Sequence, residues 1–596
     1  MHQFFRRHWQ RALSIRHHIH FSEEALHLVL AGGVGILGGL VNVAFYYATE
    51  SVKAFFLRSP GDPVEVAEMM QPWQLVVIPT LGGLVAGLIL YWGLRLAGPE
   101  RPSNMLEVVI AGDGRLPFRS AIVKFASSLV TIGSGGSIGR EGSITQLTAT
   151  LASKLGQLAR WHPYRLRMLV GCGAASGIAA AYNAPISGAV FAALVVLGNF
   201  SMAMFAPLVF ASVVATMVCR SFFQIFPSYD VTPFNFTRLT QLPWFLILGA
   251  LAGCLGAVFL KLLGVAEELF KRLPWPIYLR LALGGLAVGA LALVVPGVWG
   301  NGYSITNRIL HEQFGPNSNA IGFVLGLLLA KLAATLATVG SGAVGGVFTP
   351  TLFLGSGLGA FFGLAIRYFY PELQIPLPTF ALVGMGSMLS ATTRSPLLAM
   401  IMIMEIARGD YSLMPALMIG CVVSMLVARK LHPASIYTEP LRRKGLIVSQ
   451  DAITSEAATE RVVSDLMRAP VSPVRETATL TEVADRFLTS ANNFLPVVDR
   501  SGQMLGLLAL QDLKEFLGSG EQLLGVIAYD IMRPPPTCVT PNQRLLDVLP
   551  VVLGSEQRNI PVVNNLKDNR LVGALARAEV LGVFSEVIAA RGKEGL

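Results

Sequence analysis

One arginine and one glutamate stand alone in a long uncharged stretch. Gly133-Ser-Gly-Gly-Ser-Ile-Gly-Arg-Glu-Gly-Ser143 lies between two apolar segments, and Arg140 and Glu141 are its only charged residues. An ionisable group inside a membrane-type sequence is costly and marks function by default. The surrounding glycines and serines point to a break in an apolar helix. Such a break exposes unpaired backbone N–H groups at the positive end of the helix dipole, and these attract anions. Arg140 and Glu141 could instead neutralise each other, but adjacent helix positions point in different directions. A phosphate-binding loop does not fit. Ile138 stands where a dinucleotide fingerprint needs its third glycine, and no Gly-Lys-Ser/Thr follows.

The stretch has a partner. A shift of 207 residues lays Gly340-Ser-Gly-Ala-Val-Gly-Gly-Val-Phe-Thr-Pro350 over it without a gap, and Lys331 over Lys124 upstream. Further on, Leu169-Val-Gly-Cys-Gly and Asn183-Ala-Pro185 are echoed by Leu382-Val-Gly-Met-Gly and Arg394-Ser-Pro396. Glycines in apolar helices can serve close helix packing alone. Two such breaks in register, one of them charged, point instead to a transport site between repeats.

The elements that must position these residues are membrane helices. The chain has 596 residues, 53% hydrophobic and 14% charged, with a mean hydropathy of +0.58. That composition describes a polytopic membrane protein with room for a soluble appendage. Apolar runs near 25–48, 73–97, 118–132, 165–181, 186–219, 243–266, 278–298, 319–339, 350–368, 378–393 and 397–428 are each long enough to span or enter a bilayer. The first is too long for a signal peptide and reads as a retained helix. Residues 1–24 form a basic, His-rich tail, and Arg429, Lys430, Arg442, Arg443 and Lys444 follow the last run. The positive-inside rule puts both ends in the cytoplasm. The net charge of +10 reflects this flanking bias and gives no reason to invoke nucleic acid. The five cysteines are scattered, with neither metal-ligand spacing nor a disulfide framework.

The membrane part is expected over 25–445, with halves of about 25–220 and 243–440 joined by a polar, aromatic loop at 221–242. After residue 445 the composition becomes that of a soluble α/β protein. Asp465-Leu-Met-Arg468 and Asp530-Ile-Met-Arg533 are 65 residues apart, as are Leu495-Pro-Val-Val498 and Ile560-Pro-Val-Val563. That period indicates a tandem repeat, placed at 460–518 and 525–590.

Gly139-Arg-Glu-Gly142, Asn183-Ala-Pro-Ile-Ser-Gly188, Gly345-Gly-Val-Phe-Thr-Pro350 and the late Tyr437, in that order, resemble the CLC family of chloride channels and chloride/proton antiporters, in particular its ClcB-like bacterial branch. The resemblance implies an all-α membrane fold with an inverted repeat, and a homodimer with a separate pore in each subunit, in the bacterial inner membrane. It implies a central anion site built from the Ser103 and Tyr437 hydroxyls and the backbone amides of Val347 and Phe348. A more external anion site falls at the amides around Arg140 and Gly142, and Glu141 is the gate. Neutral donors suit conduction, because a full charge would hold the anion too tightly. The resemblance implies no enzymatic activity, no required cofactor and no metal; chloride is the transported ion.

Two departures bear on function. The family's Gly-Ser-Gly-Ile-Pro-Glu reads here Arg101-Pro-Ser-Asn-Met-Leu-Glu107, and Ser103 is matched through it. The antiporters' inner proton-relay glutamate falls at Val195, within Phe191-Ala-Ala-Leu-Val-Val-Leu197, which has no acid. Channel members resemble this pattern, so a passive, voltage- or pH-gated chloride channel is expected, with a chloride/proton antiporter as the alternative and fluoride export ranked below both. Glu405 is expected to be structural. The C-terminal repeats resemble a pair of CBS domains, which often bind adenine nucleotides. Their ribose-contacting Thr/Ser-x-x-Asp pattern reads Ala509 to Asp512 and Ala576 to Glu579, so one hydroxyl is lost at each site. Asp512 and Glu579 remain candidate nucleotide contacts. A nucleotide-sensing regulatory membrane protein is the reading from a different class.

Overall fold

The computed structural model describes residues 23–57, 62–98, 105–110, 114–159, 161, 163–198, 202–223, 229, 241–314, 319–372, 375–407, 411–443, 462–490, 492–517, 525–555 and 557–581. The basic N-terminal tail up to residue 22, Ser103 and most of the 221–242 loop lie outside the described residues. The chain divides into two units, Met1–Leu446 and Ile447–Leu596.

The described residues of the first unit are mainly helical. Its described helices are α1 (Glu23–Leu57), α2 (Pro63–Met69), α3 (Pro72–Ala97), α4 (Met105–Ile110), α5 (Phe118–Gly133), α6 (Glu141–Leu158), α7 (Pro163–Tyr182), α8 (Pro185–Phe191) and α9 (Met202–Phe222). The second half continues with α10 (Leu242–Arg272), α11 (Ile277–Ala292), α12 (Tyr303–Leu310), α13 (Ala320–Gly340), α14 (Phe348–Phe369), α15 (Leu377–Thr393), α16 (Pro396–Ala407), α17 (Met414–Leu431) and α18 (Glu439–Arg443). Seven described helices are long and apolar enough to cross a membrane, and several shorter apolar ones enter the same core. Two apolar runs divide where the sequence suggested one. The run at 186–219 splits into α8, which continues as a π-helical turn over Ala192–Val196, and α9; the run at 397–428 splits into α16 and α17. The sequence carries a mark of both divisions, since Gly198-Asn-Phe-Ser201 and Arg408-Gly-Asp410 interrupt the apolar runs.

The repeat is visible in the backbone. α5 ends at Gly133 and α13 at Gly340, the matched position; α6 begins at Glu141 and α14 at Phe348, again matched. In both connections the turn needs a left-handed residue, and glycine supplies it at the same place: Gly135 has φ +93° and Gly342 φ +100°. α7 and α15 end alike, with Asn183 (φ 55°) and Arg394 (φ 62°) in the left-handed conformation ahead of the prolines that open α8 and α16. Asn183 is steadied by Arg220, whose Nε donates to its Oδ1 at 2.8 Å. Arg394 donates to the carbonyls of Ala391, Ala428 (3.1 Å), His432 and Ala434 (3.2 Å), tying the end of α15 to the chain leading to Tyr437.

The second unit holds two three-stranded sheets. β2 (Val474–Arg475), β3 (Phe494–Val498) and β4 (Met504–Ala509) form one; β1 (Met467–Arg468) joins β6 (Leu571–Ala576) and β5 (Asn559–Val563) in the other. The strand that opens the first repeat thus pairs with the last strand of the second, Met467 opposite Leu575. The exchange is reciprocal, since Arg533 and Leu507 trade both backbone hydrogen bonds (2.7 and 3.0 Å). The cores follow the exchange. Val463 packs with Val562 and Leu575, whereas Ala528 and Ile531 pack with Leu495 and Leu508.

Candidate anion site and gate

The two helix breaks meet. Gly139 and Gly346, which are equivalent in the repeat, form an antiparallel bridge in which each N–H donates to the other's carbonyl, at 2.7 and 2.8 Å. The bridge brings the N-termini of α6 and α14 together, so two positive helix ends converge on one point. Glu141 is the first residue of α6, and its carboxylate crosses to α14. Its Oε1 accepts from the N–H groups of Phe348 (2.9 Å) and Thr349 (3.1 Å), and its Oε2 from the Thr349 hydroxyl (3.0 Å). Glu141 is 3% exposed. Hydrogen bonds to an ionised partner are worth about 1.5–3 kcal/mol each, which is what a buried carboxylate needs to offset its lost hydration.

Glycine is required around the carboxylate. A Cβ on Gly139 would lie 2.2 Å from Oε2, and one on Gly346 would lie 2.3 Å from Oε1. Gly142 sits against Gly345 and Gly346, where a Cβ would be 3.0 Å from backbone atoms. The local frame is braced from behind. Lys331, fully buried, donates to the carbonyls of Val298 (2.9 Å) and Gly300 (2.7 Å). Between those carbonyls, Trp299 packs on Gly135, whose carbonyl accepts from the Gly300 N–H at 3.3 Å.

Arg140 does not pair with Glu141. It is the N-cap of α6, and its guanidinium turns away to the Ala181 carbonyl at 3.0 Å. The amides that hold the carboxylate belong to Phe348 and Thr349; Val347, named with Phe348 from the sequence, stands one position earlier as the N-cap of α14. Tyr437 packs its ring edge-to-face on Phe191, with centroids 5.6 Å apart, and lies within electrostatic range of Glu141. Val195 lies half-buried in the π-helical turn after α8. Sequence reasoning missed Thr349 and Tyr182, although both sit at the edges of quoted motifs: Thr349 within Gly345-Gly-Val-Phe-Thr-Pro350, and Tyr182 immediately before Asn183-Ala-Pro185. A hydroxyl beside a helix N-terminus was the available signal.

Glu405 caps α8. Its oxygens accept from the N–H groups of Ile186 (2.9 Å) and Ser187 (2.7 Å) and from the Ser187 hydroxyl (2.5 Å). The structural role expected for it thus has a specific form, a carboxylate from the second half closing a helix of the first.

In the second unit, both candidate nucleotide-contacting acids are engaged across the repeats. Asp512 holds Arg533 through two contacts (2.5 and 2.6 Å), and Glu579 pairs with Arg468. Among the described residues no group of His, Cys, Asp and Glu forms a metal site.

The chain matches the family model for voltage-gated chloride channels over residues 82–429 and the CBS-domain model over 463–519 and 528–586. It is similar to a ClcB-like chloride channel protein of Ralstonia nicotianae, 40% identical over 70% of this chain and 96% of that protein. It is also similar to the voltage-gated ClC-type chloride channel ClcB of Escherichia coli, 36% identical over 69% of this chain and 98% of that one. Among solved structures, a slow cyanobacterial Cl-/H+ antiporter aligns at a TM-score of 0.62 and 25% identity, covering 71% of this chain and 98% of its own. A eukaryotic CLC transporter aligns over 94% of this chain and 98% of its own at a TM-score of 0.61 and 18% identity, a likeness of fold.

Proposed function

The chain belongs to the voltage-gated chloride channel (CLC) family, and from that footing we propose that it is a passive chloride channel gated by Glu141, working as a homodimer in the bacterial inner membrane with both termini cytoplasmic. One observation carries the reading: a carboxylate occupies the point where two helix N-termini converge. A seat built from amides and a hydroxyl suits any small anion, so the ionised side chain and chloride compete for it. Protonation removes the side chain's charge and its claim on the N–H donors. Loss of the Glu141 charge in Glu141→Gln is expected to raise chloride flux in proteoliposomes and flatten its dependence on pH. A variant that folds but conducts less than wild type would remove Glu141 as the gate.

Passive conduction is favoured over antiport by the inner position. An antiporter must load a proton from each side, and neither α8 nor its π-helical continuation carries an acid. Glu405 does not stand in, because it engages Ile186 and Ser187, about 13 Å along the helix from Val195. The antiporter reading draws support from the cyanobacterial antiporter at 25% identity. The two readings part under equal chloride, a pH step and zero voltage. The channel shows no net chloride movement, whereas sustained chloride accumulation would leave the antiporter standing.

A further inference from the structure

We propose that Thr349 and Tyr182 form a hydroxyl latch that recognises the ionised form of Glu141 and holds it across the pore. The inference rests on Glu141 being the gate and adds what keeps that gate shut.

The direction of the hydrogen bonds follows from elementary bookkeeping. An ionised carboxylate only accepts, so at 3.0 Å the Thr349 hydroxyl must spend its proton on Oε2. The Tyr182 hydroxyl lies 2.8 Å from the same Thr349 oxygen. With the threonine proton committed, Tyr182 is the donor in that contact. The Tyr182 oxygen then has lone pairs to offer. Tyr229 stacks beside Tyr303 with ring centroids 5.2 Å apart; it is fully buried, and its hydroxyl has no hydrogen-bond partner among the described residues. Tyr182 thus donates to Thr349 and Thr349 to Glu141, and such rows polarise cooperatively in a low dielectric.

The latch draws on both halves: the end of α7 (Tyr182) and the start of α14 (Thr349). Buried hydroxyls cost free energy unless bonded, so their clustering at the carboxylate demands a partner that accepts. The nearest cation, Arg140 on the gate's own helix, is turned to the Ala181 carbonyl. The other ionisable groups that face the carboxylate are Tyr182, Tyr229, Tyr303 and Tyr437, all phenolic. A neutral latch can let go where a fixed cation would not. Once Glu141 is protonated, it must itself donate. A proton on Oε2 displaces the Thr349 hydroxyl proton, whereas the Thr349 oxygen, with two lone pairs, keeps the Tyr182 donor. The latch thus favours one charge state of the gate.

The test measures chloride efflux from proteoliposomes across a range of pH with full-length Thr349→Ala, Thr349→Ser and Tyr182→Phe. Removing a donor from the ionised gate favours its protonation. One charge-assisted hydrogen bond corresponds to about tenfold, so Thr349→Ala should move the midpoint of the pH dependence about one unit toward higher pH. Tyr182→Phe, which is isosteric, should move it less in the same direction. Thr349→Ser keeps the hydroxyl and should retain the wild-type profile. Combined with Glu141→Gln, neither substitution should add anything. Unmoved midpoints in Thr349→Ala and Tyr182→Phe, with Glu141→Gln still flattening the profile, would overturn the latch and leave the gate. A Glu141→Gln protein with a wild-type profile would overturn the gate and the latch with it.

Discussion

At the scale of single residues, the site is defined as much by missing side chains as by present ones. The Glu141 carboxylate fits only because Gly139 and Gly346 offer no Cβ, and those two glycines are also the pair that bridges the halves. Gly346→Ala puts a methyl group 2.3 Å from Oε1 of Glu141, a distance no side chain tolerates, and the backbone bridge leaves little room to move away. Overpacking of this kind costs about 1–3 kcal/mol. The carboxylate can escape more easily than the backbone can. Gly346→Ala is therefore expected to expel the gate and to reproduce the weak pH dependence of Glu141→Gln, measured as efflux per folded protein. A wild-type pH profile in Gly346→Ala would show that the carboxylate does not sit where the two glycines leave room.

At the scale of elements, the short helices of one half are secured by side chains of the other. α8 has only seven residues, opens on Pro185 without a capping side chain of its own, and takes its cap from Glu405, 218 residues away in sequence from Ser187. Removing a cap costs about 0.5–2 kcal/mol, and two orphaned amides lie toward the upper end of that range. Glu405→Ala should lower the thermal unfolding midpoint of the detergent-solubilised protein, while the pH midpoint of chloride flux stays put, because Glu405 touches neither Glu141 nor α14. Glu405→Gln retains one acceptor and should recover part of the loss. A shift of the pH midpoint in Glu405→Ala, without loss of stability, would give this acid the transport role that its position denies.

At the scale of the molecule, the candidate anion site lies within the first unit, and the second has cores of its own. Removing residues 447–596 should leave a protein that folds and passes chloride with the pH dependence of the full chain. Within the second unit, Arg533 and Arg468 already occupy Asp512 and Glu579, and Ala509 and Ala576 bring no hydroxyl. A nucleotide would have to displace two ion pairs to reach the acids. Calorimetry of the full-length protein with AMP or ATP should accordingly show weak binding or none. Tight binding that changes chloride flux would promote the nucleotide-sensing reading.

Much of this was legible in the sequence because it is periodic or local. The repeat follows from the register of Gly133 with Gly340. The helix breaks follow from glycine and proline, and the tandem C-terminal unit from the spacing of its Asp-x-Met-Arg and Pro-Val-Val marks. A membrane class follows from the succession of long apolar runs with few charges inside them, since bilayer insertion penalises charge one residue at a time. Contacts between distant segments were not legible. Nothing local says that Glu141 reaches Phe348 and Thr349, that Glu405 caps α8, that Met467 and Arg468 pair with β6, or that Asp512 and Glu579 meet arginines of the opposite repeat. The reason is physical. Helix breaks and burial are written in the backbone preferences and transfer free energies of individual residues, whereas a carboxylate's choice of donors depends on which helix ends the packed fold brings within about 3 Å of it.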